Sequence, residues 1–226
     1  MNFIEIRNHF INLFNSVKKD NILILTIFEE FDLVTKEDKE LIIQDIEESY
    51  KIEFDMKMKE ILIPNLSVSW HYNINGKIET GGEFNLRGTP ALLNDTTQSS
   101  FSDTLTDFGK KLYKKGYRFF DSHPNAGDGF FAAIQIDKNI ITDTVWFVDI
   151  IHENIEPMDI DYPAYIEHTI KLKGMYDWQY LFMDDNLNNL DFDITPLRKR
   201  LEDFSKLFSG SDVSEYLKLY NEKGGN

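Results

Sequence analysis

A chain of 226 residues, of which 42% are apolar and 14% aromatic, has the composition of one folded domain with a substantial core. The absence of cysteine excludes disulfides and thiolate metal sites, and the net charge of −15 argues against nucleic-acid binding, which needs clustered Lys and Arg. No run approaches the ~20 apolar residues of a membrane-spanning helix and the N-terminus lacks the residue order of a secretory signal, so we expect a soluble cytoplasmic protein that does not bind membranes.

The first fifty residues predict two helices around an ambiguous segment. Apolar residues recur at helical spacing over 3–19, and the apolar run at 22–28 could be a buried strand or a continuation of that helix. Thr35 is a suitable N-cap for a second helix over 36–50, whose acidic first turn complements the helix dipole. The spacing predicts that one stripe of this second helix is buried, formed by Leu41, Ile42, Ile46 and Tyr50.

The pattern then changes from helical spacing to strand alternation. LSVSWHYNI at 66–74 alternates apolar and polar residues, and Asn75-Gly76 directly after it is a strong signal for a type I′ hairpin turn. The partner strand is KIETGGEFNL at 77–86. Its two adjacent glycines, Gly81 and Gly82, predict a bulge or a close approach of another backbone.

The second half predicts a helix, a tight loop, two buried strands and further helices. The first helix covers 101–115, with Ser102 or Asp103 as its cap and Gly116 after its end. The loop contains Pro124, Asn125, Gly127, Asp128 and Gly129. The apolar strands FFAAIQID and VWFVDII follow, and their composition predicts central strands that are covered on both faces. Helical patterns are then predicted over 162–173, 177–185 (a helix or a turn), 195–208 with Thr195 as N-cap, and 211–220.

This order of elements predicts an α+β fold. Strands grouped together, with helices before and after them, favour a central, mostly antiparallel sheet flanked by helices over alternating βαβ units. No internal repeat or linker divides the chain, so a single domain is expected over 1–226.

Negative charge is concentrated in the segment 143–193. This segment contains twelve acidic residues and two lysines, which gives it a charge of −10. Such a field can steer a basic partner toward the protein. A solvated face that keeps the protein soluble is an equally good interpretation.

Two groups of polar residues could support hydrolysis. Asp121, Ser122 and His123, with Asp128 after them, have the residue types of a hydrolase or a cation site, but a loop rich in Asp, Asn and Gly is more often a turn. Motifs for phosphate cradles and helical zinc sites are absent from the sequence.

The second group is His152 and Glu153 at a strand end, with Asp149 just upstream. A His–carboxylate pair can transfer protons, but a histidine that closes a buried strand often only bonds a neighbouring loop. Trp70 beside the glycine pair could line a ligand groove, although packing in the core is the favoured interpretation. No catalytic residue, metal or cofactor is expected from these patterns.

Several segments, in their order, resemble the SMI1/KNR4 family, also called the SUKH superfamily. The matching pieces are EDKELIIQDIEESYKI, SVSWHYN, GGEFNL, GDGFFAAIQID, VWFVDIIHEN and YPAYIEHTI. They cover about 35–185, so 1–34 and 186–226 would be helical extensions of the family-like domain. A proline that family members often carry after the first helix is missing from IEFDM.

The resemblance implies an α+β domain without catalytic activity. Bacterial members commonly act as immunity proteins that bind and neutralise toxins, often basic nucleases, so the expected partner is a basic toxin domain. The expected contacts are Trp70 and four carboxylates on a loop after the strongest strand, Glu153, Glu156, Asp159 and Asp161. A regulatory or scaffold protein like the eukaryotic members is the alternative, and a hydrolase using Asp121, His123 and His152 is a further one.

Overall fold

The computed structural model describes residues 8, 12, 22–29, 36–60, 65–74, 77–88, 92–93, 106–183, 195–208 and 210–224. Within these residues it has nine strands, six α-helices and one 3₁₀-helix, and the predicted α+β class with a mostly antiparallel sheet and flanking helices is confirmed. The strands are β1 (Ile22–Glu29), β2 (Glu53–Phe54), β3 (Leu66–Ile74), β4 (Lys77–Leu86), β5 (Tyr117–Ser122), β6 (Phe130–Asp137), β7 (Ile140–Ile141), β8 (Thr144–Asp149) and β9 (Asn154–Asp161). The helices are α1 (Lys36–Tyr50), α2 (Met56–Glu60), α3 (Asp107–Lys114), α4 (Tyr162–Lys171), the 3₁₀-helix (Trp178–Phe182), α5 (Thr195–Leu207) and α6 (Ser214–Glu222).

The strands form two sheets that lie side by side. The first has the antiparallel order β1-β3-β4, and the second has the order β2-β7-β6-β8-β9, with β5 on the other side of β6. Among the described strand pairs, only the short β2–β7 pair is parallel. Where β4 ends and β5 runs past it, the Arg87 N–H donates to the Phe120 carbonyl oxygen at 2.8 Å. The two sheets are therefore joined through main-chain hydrogen bonding.

The main core lies between the sheets and the helices α4, α5 and α6. It contains Trp70 and Trp178, both fully buried, and α5, α6 and the residues that join them contribute seven of its buried side chains. These seven are Leu197, Leu201, Phe204, Phe208, Val213, Tyr216 and Tyr220. The described helices of the predicted extension 186–226 therefore supply part of the same core as the two sheets.

A second, smaller core lies on the other face of the larger sheet. Leu112 of α3 packs there with Tyr117 and Phe119 of β5, and with Val148 and Ile150 at the end of β8. The central strands β6 and β8 therefore have buried side chains on both faces, as their apolar sequences predict, although Phe131 and Trp146 on the second face stay partly exposed.

Two predictions about the first half need correction, and one ambiguity is resolved. The ambiguous segment 22–28 is a strand and pairs with β3, so the expected extension over 1–34 is not purely helical. In α1 the buried residues are Ile43 and Ile46, whereas Leu41 and Tyr50 are 61% and 42% exposed. Three consecutive apolar residues begin this stripe, and such a run does not determine which of them points inward.

The ends of several elements lie near their predicted positions. Strands β3 and β4 begin and end where expected and pair through Ile74 and Lys77, while their turn, Asn75-Gly76, lies outside the described residues. Helix α3 is capped by Thr106 and followed by Gly116, which has φ +92°.

The predicted caps Ser102, Asp103 and Thr35 lie outside the described residues, as does the helix at 3–19 except for Asn8 and Asn12, which are helical. Thr195 is the first residue of α5.

Four strands were not predicted from the sequence. β2 and β7 have two residues each, β5 lies between the predicted helix and the predicted tight loop, and β9 was expected to be an acidic loop. β9 forms because it pairs with β8 along most of its length while Met158 and Ile160 pack in the core. The alternating pattern in β9 is weak because its remaining residues, apart from Ile155, are acidic, amide-bearing or proline.

Candidate functional site

Trp70 is part of the core and not of a surface groove. Its side chain is fully buried, its Nε1–H donates to the Lys173 carbonyl oxygen at 2.8 Å, and its ring meets the Phe208 ring edge-on at 5.3 Å. The space left by Gly82 is filled by the backbone of Gly174, which would lie 2.7 Å from an added Cβ. The glycine pair therefore permits a close backbone approach, and the expectation that Trp70 contacts a partner is wrong for this structure.

The four predicted carboxylates lie on and beside β9 instead of on a loop. Glu153 is exposed in the turn before β9, with a left-handed φ of 53°. Glu156 accepts a hydrogen bond from the Asn154 amide at 2.5 Å. Asp159 is exposed and lies 3.4 Å from the Lys223 ammonium. Since Met158 and its neighbour Ile160 face the core, Asp159 projects from the opposite side of the strand.

Asp161 has a structural role. Its side chain caps α4 by accepting the Ala164 N–H at 3.0 Å, and it pairs with Lys57 at 2.9 Å. Partial burial alone would raise the pKa of Asp161, but the Ala164 hydrogen bond and the Lys57 ammonium outweigh it, so the pKa is lowered. Lys57 also pairs with Asp143 at 3.0 Å. Asp161 is consequently occupied inside the protein, whereas Glu153 and Asp159 are exposed and Glu156 is partly buried.

The buried Asp121 holds two sheets and a helix together. Its Oδ1 accepts the N–H groups of Asn85 and Ser122, each at 2.8 Å, and its Oδ2 accepts the Tyr165 hydroxyl at 2.7 Å. Burial raises the pKa of Asp121 above its ordinary value, while His123 and the three hydrogen bonds act in the opposite direction. These contacts use the carboxylate for structure, which leaves it poorly placed for catalysis.

Two His–carboxylate pairs stand at the same end of the larger sheet. His123 donates from Nδ1 to Asp128 at 2.8 Å, and His152 donates from Nδ1 to Asp149 at 2.7 Å. In each pair the other carboxylate oxygen binds local backbone N–H groups, that of Phe130 for Asp128 and that of Ile151 for Asp149. The pairs therefore fix the loop 123–129 and the turn 150–153.

The two carboxylates of these pairs also line a cavity of about 40 Å³. Phe130, Phe147 and Tyr180 form its apolar walls, and its polar lining is His123, Asp128, Asp149, Asp177 and Gln179. This volume accommodates a few water molecules but falls far short of a pocket for an organic substrate. The sequence could suggest that His123 pairs with a nearby carboxylate, because Asp128 is five residues away. It could not show that this pair and Asp149 line the same cavity, because that depends on the fold.

Glu83 was missed by the sequence analysis and fixes the same loop. It is 1% exposed, and its carboxylate accepts the Asn125 N–H, the Asn125 side-chain amide and the Ala126 N–H at 2.7–2.8 Å. An acidic residue inside the otherwise uncharged GGEFNL was the available signal. Together with the Ile150 N–H bond to the Gly129 carbonyl at 3.0 Å, these contacts make the loop and the turn one rigid surface.

The described residues contain no group of three or more His, Asp or Glu side chains arranged to hold a metal ion. Among the helices that the structure describes, none is both long enough and apolar enough to cross a membrane. Comparison of the chain with protein-family models, with curated proteins and with solved structures returned no match.

Proposed function

We propose that this chain is a non-enzymatic, cytoplasmic protein-binding domain, an immunity protein that binds and neutralises a basic, nuclease-type toxin. The supporting observation is the charge of the sheet region. From Phe119 to Ile170 there are ten carboxylates and a single basic residue, Lys138. Among them, Glu153 stands exposed on a turn that Asp149 fixes, so the charge is presented by a rigid scaffold.

Opposite charge at an interface increases the association rate and rejects wrong partners. A nuclease must hold phosphates and is therefore basic around its active site, so an acidic inhibitor can approach that surface and block it. The catalytic alternative has less support, because Asp121, Asp128 and Asp149 bind backbone N–H groups in the structure.

The experiment uses the product of the gene adjacent to the one that encodes this chain. The double variant Glu153→Lys/Glu156→Lys should lose protection against that toxin and bind it about tenfold or more weakly, because attraction becomes repulsion. The matched control is Glu40→Lys/Asp45→Lys, which changes the net charge equally on the exposed side of α1.

If the two double variants lost protection and affinity equally, only net charge would matter, and the assignment of the binding surface to Glu153 and Glu156 would be wrong. Full protection by the Glu153→Lys/Glu156→Lys chain would contradict the proposal, as would a neighbouring product that the unmodified chain does not bind.

A further inference from the structure

Among the described residues, the helix that covers the second face of the larger sheet stops short of its β8–β9 side. Helix α3 lies over β5, where its Phe108 and Leu112 pack with Tyr117 and Phe119. In the described part of the chain, α3 is the one helix that contributes to this smaller core. The strands β8 and β9, which lie on the far side of β6, extend beyond it.

On the part of the second face that α3 does not reach, strand pairing places apolar side chains next to one another in a row. Phe131 pairs with Val148, which pairs with Ile155, and Trp146 pairs with Pro157. Phe131, Trp146 and Ile155 are partly exposed, and Pro157 is exposed. We call these four residues, Phe131, Trp146, Ile155 and Pro157, the open face.

Ile151 continues the apolar surface at the end of this sheet. It is 61% exposed and lies against Gly129, where an added Cβ would come within 2.5 Å of its Cγ1. The turn that presents Ile151 is fixed by Asp149. A large apolar side chain held in water is typical of a contact residue when other apolar surface is near it, and Ile151 lies in the turn that joins β8 and β9, the strands that carry three of the four open-face residues.

The free border of the open face is acidic. It follows the edge strand β9 and the turn before it, where Glu153 is exposed in the turn and Asp159, on the same side of β9 as Ile155, is exposed and 3.4 Å from the Lys223 ammonium. Glu156 pairs with Phe147 and so lies on the main-core side of the strand. The exposed lysines of α3 lie above β5, three strands away, which is about 14 Å at ordinary strand spacing. That distance exceeds the Debye length of about 8 Å at physiological salt, so these lysines do little to cancel the field at β9.

Building on the proposed function, we propose that the open face is where the basic partner docks, through an amphipathic helix with a basic flank. The strip between α3 and the edge strand is about two strand spacings, roughly 10 Å, which matches the diameter of a helix. Apolar residues of the incoming helix pack on Trp146 and Ile155, and its Lys or Arg side chains meet Glu153 and Asp159. Net charge disfavours a second copy of this chain, at −15, as the occupant.

The fluorescence of Trp146 can show whether the open face is occupied. The chain has three tryptophans, and the other two, Trp70 and Trp178, are fully buried. Acrylamide should therefore quench mainly Trp146, and an occupant of the open face should protect it. The probe is a synthetic amphipathic helix of leucine and lysine, with a leucine–glutamate helix and unpatterned polylysine as comparisons.

The leucine–lysine helix should protect Trp146 and the leucine–glutamate helix should not. Polylysine should bind the chain without protecting Trp146, because it lacks an apolar side. The variant Ile151→Asp should weaken binding of the leucine–lysine helix about tenfold. Its control is Leu41→Asp on α1, since Leu41 is also 61% exposed and the substitution adds the same charge.

Equal protection by the lysine and glutamate helices, or equal effects of the two Asp variants, would overturn this inference. Protection of Trp146 that grows with protein concentration alone would also overturn it, by identifying a second copy as the occupant. Polylysine binding without any protection of Trp146 by the leucine–lysine helix would refute the open face and leave the proposed acidic binding function standing.

Discussion

Asp121 shows how one buried carboxylate can control stability and its pH dependence. Replacing it with alanine leaves the N–H groups of Asn85 and Ser122 and the Tyr165 hydroxyl without their acceptor. We expect Asp121→Ala to lower the free energy of unfolding by about 2–4 kcal/mol. Asp121→Asn should cost much less, because the amide oxygen still accepts the two N–H groups while its NH₂ donates to the Tyr165 oxygen.

Asp121 also makes the free energy of unfolding depend on pH, in a direction that can be predicted. Burial raises the pKa of Asp121 above the ordinary 3.8, so the folded state holds this proton more tightly than the unfolded state. Its contribution to stability is present below about pH 4 and is lost as pH rises through the folded pKa. The stability of wild type relative to Asp121→Asn, from urea unfolding across pH, should therefore fall as pH rises. A difference that stays constant or increases would contradict the raised pKa.

The sequence could identify Asp121 as unusual but not assign its role. An acid beside a Ser and a His suggested catalysis, whereas its actual partners, Asn85 and Tyr165, are 36 and 44 residues away in the chain. Those distances make the hydrogen bonds a property of the tertiary fold. Glu83 escaped notice for the same reason, because its acceptor role depends on a loop more than forty residues downstream.

At the scale of elements, Gly116 ends α3 in a conformation that other residues adopt at a cost. It has φ +92°, and an added Cβ would collide with the carbonyl oxygen of Ile136. Gly127 also has a positive φ, +64°, but no atom lies within 4 Å of its added Cβ. We expect Gly127→Ala to cost about 1 kcal/mol and Gly116→Ala clearly more, since a backbone clash is added to the strain.

Urea unfolding of the two alanine variants measures this difference. Equal losses would show that the backbone around Ile136 moves aside and that only the left-handed conformation carries the cost.

Local patterns account for which elements could be predicted. β3 and β4 were assigned correctly because alternation and an Asn-Gly turn specify a hairpin within twenty-one residues, and β6 was assigned from its apolar composition. β9 was missed because its identity as a strand depends on pairing with β8 and on the core contacts of Met158. The open face could not be predicted either, since it depends on where α3 ends relative to β8.

At the scale of the molecule, the C-terminal helices decide whether the chain can fold without its last forty residues. A chain that ends at residue 185, the end of the family-like region, lacks Phe208 and would expose Trp70, which is fully buried against it. It also lacks Tyr216, whose hydroxyl bonds His168 at 2.8 Å. We expect the shortened chain to lose the near-ultraviolet circular dichroism of packed aromatic rings and its cooperative unfolding transition.

The full-length variant Phe208→Ala serves as the graded comparison for that truncation. Because it removes one fully packed ring from the same core, it should remain folded and lose about 3–5 kcal/mol of unfolding free energy. A chain ending at residue 185 that unfolds cooperatively, with an aromatic spectrum like that of wild type, would show that α5 and α6 are additions to a complete domain. Loss of both properties, with Phe208→Ala still cooperative, would establish a single core to which the C-terminal helices belong.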